Sequence, residues 1–401
     1  EIYTLSLHDA LPILAYLSTF YPFRGGIAQF NANLYREFEK QNHDIEAFTF
    51  TRQYPDILFP GTSQYVGEND IADKIYSKQT LDTINPISYI KTASKIKEFA
   101  PDMLIMKFWM PFFAPSLGWV AKSLKKNKTK IISILDNVIP HEKRLGDIAL
   151  TKFFLKQNDG FIVMSGTVKQ DLLLLKPNAK YEFQPHPLYN HFGKKLDKKV
   201  AKKMMGIDEN KNVLLFFGFI RSYKGLDILL ETLKNLSNDY VLLVAGESYG
   251  DFSKYEEMIK NYNLEERVIL KVRYIEDSEV PVFFSASDVC VLPYKSATQS
   301  GIVGISYYFN LPVIATDVGS LKEMIEPYDT GIVVKEANSE LLTEAINNYF
   351  FEGKIEQYQN NIENYKILAS WEKLQETIIN LYNSFGRGNI PGAHGGSTDF
   401  P

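Results

Sequence analysis

The chain of 401 residues holds a single cysteine, Cys290, so no intramolecular disulfide can form. Cys290 sits in an apolar run and reads as a small buried hydrophobe, which suits a reducing cytoplasm. Histidine is scarce too. There are six, with no close-spaced pair that one helix could offer to a metal, so we expect no metal site and no cofactor. No stretch approaches the roughly 18 apolar residues that cross a bilayer. The first residues lack a charged segment followed by an apolar one and a cleavage site, and we expect no signal peptide. Nucleic acid is not expected as a partner, because the net charge is -4 and the basic clusters are not interleaved with aromatics.

What is present is an ordinary globular composition, 45% hydrophobic and 23% charged, in a length that suits two domains. The charge is divided unevenly. Residues 1–200 carry 26 Lys and Arg against 20 Asp and Glu; of the totals of 44 and 48, residues 201–401 keep 18 and 28. Two lysine clusters stand out, at 122, 125, 126, 128 and 130 and at 194, 195, 198, 199, 202 and 203. They are either solvated surface or a means of peripheral contact with an anionic acceptor or with the inner face of the cell membrane.

Residues 1–12 (EIYTLSLHDALP) look foreign to the fold, and the Gly- and Pro-rich segment 386–401 is expected to be disordered. Between them, short apolar runs alternate with amphipathic stretches, the pattern of βα units and parallel sheets. We expect strands at 13–18, 45–49, 103–107, 131–135 and 160–164, and helices at 27–40, 86–98, 115–124 and 147–157. After the lysine-rich 194–203 the pattern restarts. Strands are expected at 213–217, 240–245, 268–272, 289–292, 312–315 and 331–334, and helices at 225–236, 255–262, 279–285, 302–309, 321–325 and 339–350. This predicts two doubly wound, Rossmann-like α/β domains, 13–195 and 205–370, facing each other across a cleft, with ligands at the carboxyl ends of the strands.

Four loops carry chemistry. In GFIRSYKG (218–225), Arg221 and Lys224 stand just before a helix whose N-terminus carries about half a positive charge. Such a positive cluster becomes favourable when a diphosphate binds; the alternative is a solvated loop. In PYKSATQSG (293–301), Thr298, Gln299 and Ser300 supply hydroxyls and an amide, and Ser300-Gly301 can offer backbone N–H groups; the alternative is a Ser cap on a helix. Gly25 and Gly26, after Arg24, let a backbone approach a ligand or simply make a turn. In LDNVIPHE (135–142), Asp136 can bond a sugar hydroxyl and His141 can orient it, with Asn137 beside them; either Asp136 or His141 can instead cap the turn before Pro140 or make a structural hydrogen bond.

Together with STFYPFRGGIAQF (18–30), VAGE (244–247), SASDVCVLPY (285–294), TQSGIVGISYYFNLPVIATDVGSLKEMI (298–325) and SWEKLQETIINLY (370–382), these segments resemble glycosyltransferase family 4, the group 1 glycosyl transferases with the GT-B fold. The resemblance covers about residues 13–385. It implies retaining transfer of a sugar from a nucleoside-diphosphate donor, without a metal, to a glycan, lipid-linked or small-molecule acceptor. It implies that Arg221 and Lys224 hold the diphosphate and, with Asp136, form the catalytic group. Gly25 and Gly26 would line the reacting centre, Gly218, Gly246, Thr298, Gln299, Ser300 and Gly301 would join them in the donor site, and Tyr274 in 272–275 would face the base. A last helix, 371–385, would cross back to the first domain. The chain departs from the family at Ala297 and Ile305, where many members have a pair of glutamates, and at Asp136, where many have His. The absent carboxylates leave open a glycosyltransferase-like subunit that binds a nucleotide or a partner protein without turnover.

Overall fold

The structure, a computed structural model, describes residues 11–55, 64–67, 72–140, 144–297 and 300–386. The expectations for His141, Thr298, Gln299 and most of both termini lie outside these residues. The chain divides into two compact units. Among the described residues, the first runs to His186 and resumes at Ser370, and the second is Pro187–Ala369.

The first unit contains β1 (Leu14–Leu17), α1 (Gly26–Lys40), β2 (Ile45–Arg52), β3 (Ser77–Asp82), α2 (Pro86–Phe99), β4 (Met103–Phe108), α3 (Ala114–Lys125), β5 (Lys130–Leu135), α4 (Asp147–Gln157), β6 (Gly160–Val163), α5 (Gly166–Leu175) and β7 (Tyr181–Phe183). Its strands form one parallel sheet in the order β3-β2-β1-β4-β5-β6-β7. The inner strands β1, β4 and β6 are buried along their whole length, as expected of a sheet covered by helices on both faces.

The second unit contains α6 (Lys198–Met205), β8 (Asn212–Phe217), α7 (Leu226–Asn235), β9 (Tyr240–Ala245), α8 (Ser253–Asn261), β10 (Val268–Lys271), α9 (Val280–Ala286), β11 (Val289–Leu292), α10 (Gly301–Tyr308), β12 (Val313–Thr316), α11 (Leu321–Ile325), β13 (Gly331–Val334), α12 (Ser339–Phe351) and α13 (Ile355–Leu368). Its parallel sheet has the order β10-β9-β8-β11-β12-β13. Apolar clusters cover both faces of this sheet. α14 (Trp371–Asn383), capped by Ser370, belongs to the first unit, where it packs on α1 and on β5, β6 and β7. Two doubly wound α/β units are the expected fold class.

Three expectations need correction. The first domain ends at His186 and not at 195, because 187–196 is bonded into the second unit. There the Leu188 N–H donates to Ala369 O (2.9 Å), the Tyr308 hydroxyl to Gly193 O (2.8 Å) and the Leu196 N–H to the Ser285 hydroxyl (2.9 Å). The second lysine cluster is not simply solvated surface. Much of it forms α6, where Lys198 pairs with Asp288 (2.7 Å) and buried Lys202 donates to Lys211 O (2.6 Å) and Glu209 O (3.2 Å). Finally, β3 and β7 escape the apolar-run pattern because both are edge strands, β3 with a mostly polar sequence and β7 with only three residues. Among the described residues, no helix is long and apolar enough to cross a membrane.

Candidate functional site

In the second unit, the strand order reverses between β8 and β11. Doubly wound sheets take ligands beside such a reversal, outside the carboxyl ends of the strands. The loops that leave those two ends are 218–225 and the one beginning at Pro293, and both are held by close backbone approach. Gly246, at φ 142°, lies where an added Cβ would stand 2.1 Å from Gly218 O; at Gly225, φ 72°, it would stand 2.0 Å from Pro293 O. Two backbone bonds complete the frame, from the Ile220 N–H to Glu247 O (2.8 Å) and from the Lys295 N–H to Tyr223 O (2.7 Å).

The two cations stand on this frame. The Arg221 guanidinium lies over the Tyr249 ring, 4.4 Å from its centroid, and the Lys224 ammonium lies 5.3 Å from the centroid of Tyr294. Among the described residues neither has an ion-pair partner, whereas neighbouring Lys295 is paired with Asp227 at 2.6 Å. Burial lowers the Lys224 pKa; the buried Cys290 thiol opposes this, and the Arg221 charge adds to it. A bound anion would relieve both the repulsion and the desolvation. Ser300 occupies the N-cap position of α10, but its side chain makes no capping bond; its hydroxyl instead meets the Tyr294 hydroxyl at 3.2 Å. Of the two readings of that loop, the plain Ser cap is the one that does not form. A Cβ added at Gly301, the first residue of α10, would meet no atom of the described residues within 4 Å.

Gly218, Gly246, Arg221, Lys224, Ser300 and Gly301 therefore lie on loops at the carboxyl edge of this sheet. Tyr274 does not share the reversal point. It is exposed after the edge strand β10, where Arg273 donates to its carbonyl (2.9 Å) and pairs with Glu279. Ala297 and Ile305 pack against the apolar core of the unit. Sequence reasoning missed Tyr249 and Tyr294 as seats for the two cations. Their signal was weak, an aromatic just beyond the end of each neighbouring strand.

In the first unit the reversal lies between β1 and β4. Gly25 and Gly26 open α1 after β1, and a Cβ on either would meet no atom within 4 Å. Asp136 follows β5 and is not a free carboxylate. The Lys107 ammonium, on β4, donates to its Oδ1 at 2.6 Å. The Lys107 side chain is 2% exposed against 24% for Asp136, and its ammonium also lies 3.5 Å from the centroid of Phe30 on α1. Burial lowers the Lys107 pKa, and Asp136 pulls it back up. Nearby, the Tyr16 hydroxyl donates to Asn31 Oδ1 (2.6 Å), and Asn31 Nδ2 donates to Ser18 Oγ and Thr19 O (2.8 Å each), which ties α1 to the end of β1. The structural bond that was one of the readings of Asp136 is thus present, through a lysine that sequence reasoning passed over. Its signal was the lone charge in the apolar strand MLIMKF. Asn137 is exposed beside it.

The two units have the parallel, doubly wound architecture of the GT-B fold. Residues 197–367 match the family model of the glycosyl transferases group 1. The lipopolysaccharide core biosynthesis mannosyltransferase LpsB of Rhizobium meliloti is 24% identical over 207 residues, which is 49% of this chain and 56% of that relative, little more than half its length. The O-antigen chain mannosyltransferase C of Escherichia coli is 22% identical over 383 residues, 93% of this chain and 98% of that protein. The structure of HepE from Anabaena in complex with UDP shares the fold, with a TM-score of 0.63 at 14% identity, covering 93% of this chain and 100% of that one. The second unit carries the sequence pattern of a group 1 glycosyl transferase domain, and the chain as a whole resembles that family.

Proposed function

We propose that this protein is a retaining, metal-independent glycosyltransferase. It takes a sugar from a nucleoside-diphosphate donor and passes it to a glycan or lipid-linked acceptor in bacterial polysaccharide or glycoconjugate assembly, at the inner face of the cell membrane. The observation that carries this reading is the pair Arg221 and Lys224, two cations without a carboxylate partner among the described residues, at the strand reversal of the unit that matches the family. Breaking a sugar–phosphate bond builds negative charge on the departing diphosphate. Fixed cations and the N-terminus of α10 stabilise that charge where other glycosyltransferases use a metal ion. The acceptor hydroxyl attacks the face that the diphosphate leaves, and its proton passes to the departing diphosphate; Asp136 belongs to the catalytic group, Gly25 and Gly26 line the reacting centre, and Tyr274 faces the base. The names of the two mannosyltransferase relatives support a glycan acceptor, and the UDP complex of HepE supports a nucleoside-diphosphate donor. The apolar packing of Ala297 and Ile305 favours a second reading, a subunit that binds nucleotide without turnover.

Calorimetric titration with UDP and GDP tests the site. Arg221→Ala and Lys224→Ala should each weaken binding by roughly 10- to 150-fold, the loss of a charge-assisted bond of about 1.5–3 kcal/mol. Because burial lowers the Lys224 pKa, affinity should fall as pH rises through that value, below the ordinary 10.5, and Lys224→Arg should remove the decline. Unchanged affinity in both alanine variants would sink the diphosphate site. Binding without donor hydrolysis or transfer, across a panel of nucleotide sugars and acceptors, would establish the second reading.

A further inference from the structure

We propose that Tyr249, on the loop after β9, is a positioning residue for the diphosphate: it holds the Arg221 guanidinium in place before the ligand arrives. Arg221 is exposed, and its side chain makes no hydrogen bond or ion pair among the described residues. What meets it is the Tyr249 ring, with the guanidinium carbon 4.4 Å from the ring centroid. An exposed arginine without such a seat samples many rotamers. Tyr249 is itself fixed. Its N–H donates to Ile220 O at 3.1 Å, the Ile220 N–H donates to Glu247 O at 2.8 Å, and Ile220 and Ser248 form a parallel bridge. Ile220, the residue before Arg221, is buried. The Phe219 ring stands edge-on to the Tyr249 ring, 5.0 Å away at 89°. The loop after β9 is thereby joined to 218–225 through the backbone and through two ring contacts.

An aromatic face suits a cation that must later meet an anion. A carboxylate would cancel the charge of Arg221 and compete with a phosphate for its donors, as Asp227 does for those of Lys295. A ring face attracts the cation through its quadrupole and adds no net charge. The N–H donors of a guanidinium lie at the edges of its own plane, so a fork seated over a ring keeps donors for phosphate oxygens. The contact is made by the tyrosine ring, not by its hydroxyl. A seated arginine has less freedom to lose when a diphosphate binds, and affinity gains by that difference. This role rests on the proposed diphosphate site. Tyr249 acts through Arg221 and touches no part of the donor.

Calorimetric titration of the full chain with UDP and with GDP tests this. Tyr249→Ala should weaken both ligands by roughly two- to tenfold, the cost of immobilising one free side chain. Tyr249→Phe keeps the ring and should bind as the parent does. In an Arg221→Ala background, Tyr249→Ala should change affinity by less than about twofold, because the seat then holds nothing. Circular dichroism confirms that each variant is folded. Equal affinity of the parent and Tyr249→Ala would overturn the proposal. So would a loss that persists in the Arg221→Ala background, the mark of direct stacking on the base or of a disturbed loop. A Tyr249→Phe chain as weak as Tyr249→Ala would overturn it too, by assigning the contact to the hydroxyl. If Arg221→Ala itself binds UDP and GDP as the parent does, the diphosphate site fails and the role of Tyr249 fails with it. If Arg221→Ala weakens binding and Tyr249→Ala does not, the role of Tyr249 fails alone.

Discussion

Asp136→Asn changes one charge where the structure leaves little room for compensation. Lys107 is 2% exposed, and its ammonium touches only the Asp136 carboxylate and the Phe30 ring among the partners seen here. Removing one member of a buried ion pair costs about 3–5 kcal/mol, because the other charge is left stranded. Asp136 is 24% exposed and an asparagine oxygen can still accept from the ammonium, so the expected loss is nearer 2–3 kcal/mol. For a unit of this size that lowers the melting temperature by roughly 5–10 °C. The pH dependence follows from the lysine. Burial already holds its folded-state pKa below the ordinary 10.5, and asparagine withdraws the Coulombic attraction and the hydrogen bond that raise it. A lysine disfavoured as a cation in the folded state costs most below its folded pKa, and the cost fades as pH rises toward 10.5. The stability gap between parent and variant should therefore narrow as pH rises toward 10.5. Lys107→Met added to Asp136→Asn removes both charges and should recover most of the loss. Thermal unfolding followed by circular dichroism measures all three chains. A variant as stable as the parent, a gap indifferent to pH, or a double variant no better than the single one would refute the assignment of Lys107 and Asp136 as a mutually dependent pair.

Two further substitutions probe the second unit. Gly225→Ala forces a side chain into the left-handed region and places its Cβ against Pro293 O, a backbone atom that no rotamer change can move; urea unfolding should show a loss greater than about 1–2 kcal/mol, and UDP affinity should fall as Lys224 is displaced. Ile305→Glu restores a carboxylate where many group 1 relatives have one, but here the position packs against the apolar core, so it should cost roughly 2–4 kcal/mol without tightening UDP binding. A stable Ile305→Glu chain with higher affinity would show that the packing at this position is dispensable.

The elements easiest to read from sequence were those that bury both faces or one long stripe. LAYL, MLIMKF and YVLLVA are near-continuous apolar runs in central strands, and α4, β9, β11, α11 and β13 have the bounds expected for them. SKQTLD in β3 was not legible, because an edge strand needs no apolar alternation. α6 was read as a charge run, although Ala201 and the stem of Lys202 are buried. At the site, glycine-marked loops announced themselves, since a close backbone approach needs a missing side chain and the sequence displays that directly. What could not be read was which remote side chain receives each cation. Arg221 meets Tyr249 and Lys107 meets Asp136 only because neighbouring strands end side by side, and strand order is a property of the sheet, not of either segment.

The departures from the family pattern act on charge in a consistent direction. The segment PYKSATQSG contains no acid, and the nearby Asp227 is held by Lys295, so the positive charge of Arg221 and Lys224 is not offset by the loop beside it. In the first unit the opposite holds, and the negative charge of Asp136 is balanced by Lys107. In the proposed reaction the diphosphate leaves as an anion, so undiminished positive charge at β8 and β11 acts where charge develops most. On the proposed reading, selection among sugars by the second unit falls to groups that carry no net charge, the hydroxyl of Ser300 and the backbone of α10. Neutral donors and acceptors discriminate by geometry more than by attraction, because a misplaced hydroxyl leaves a buried partner unsatisfied. On the same reading, a pair of glutamates in place of Ala297 and Ile305 would add attraction for hydroxyls at the sugar while weakening the field at the phosphates.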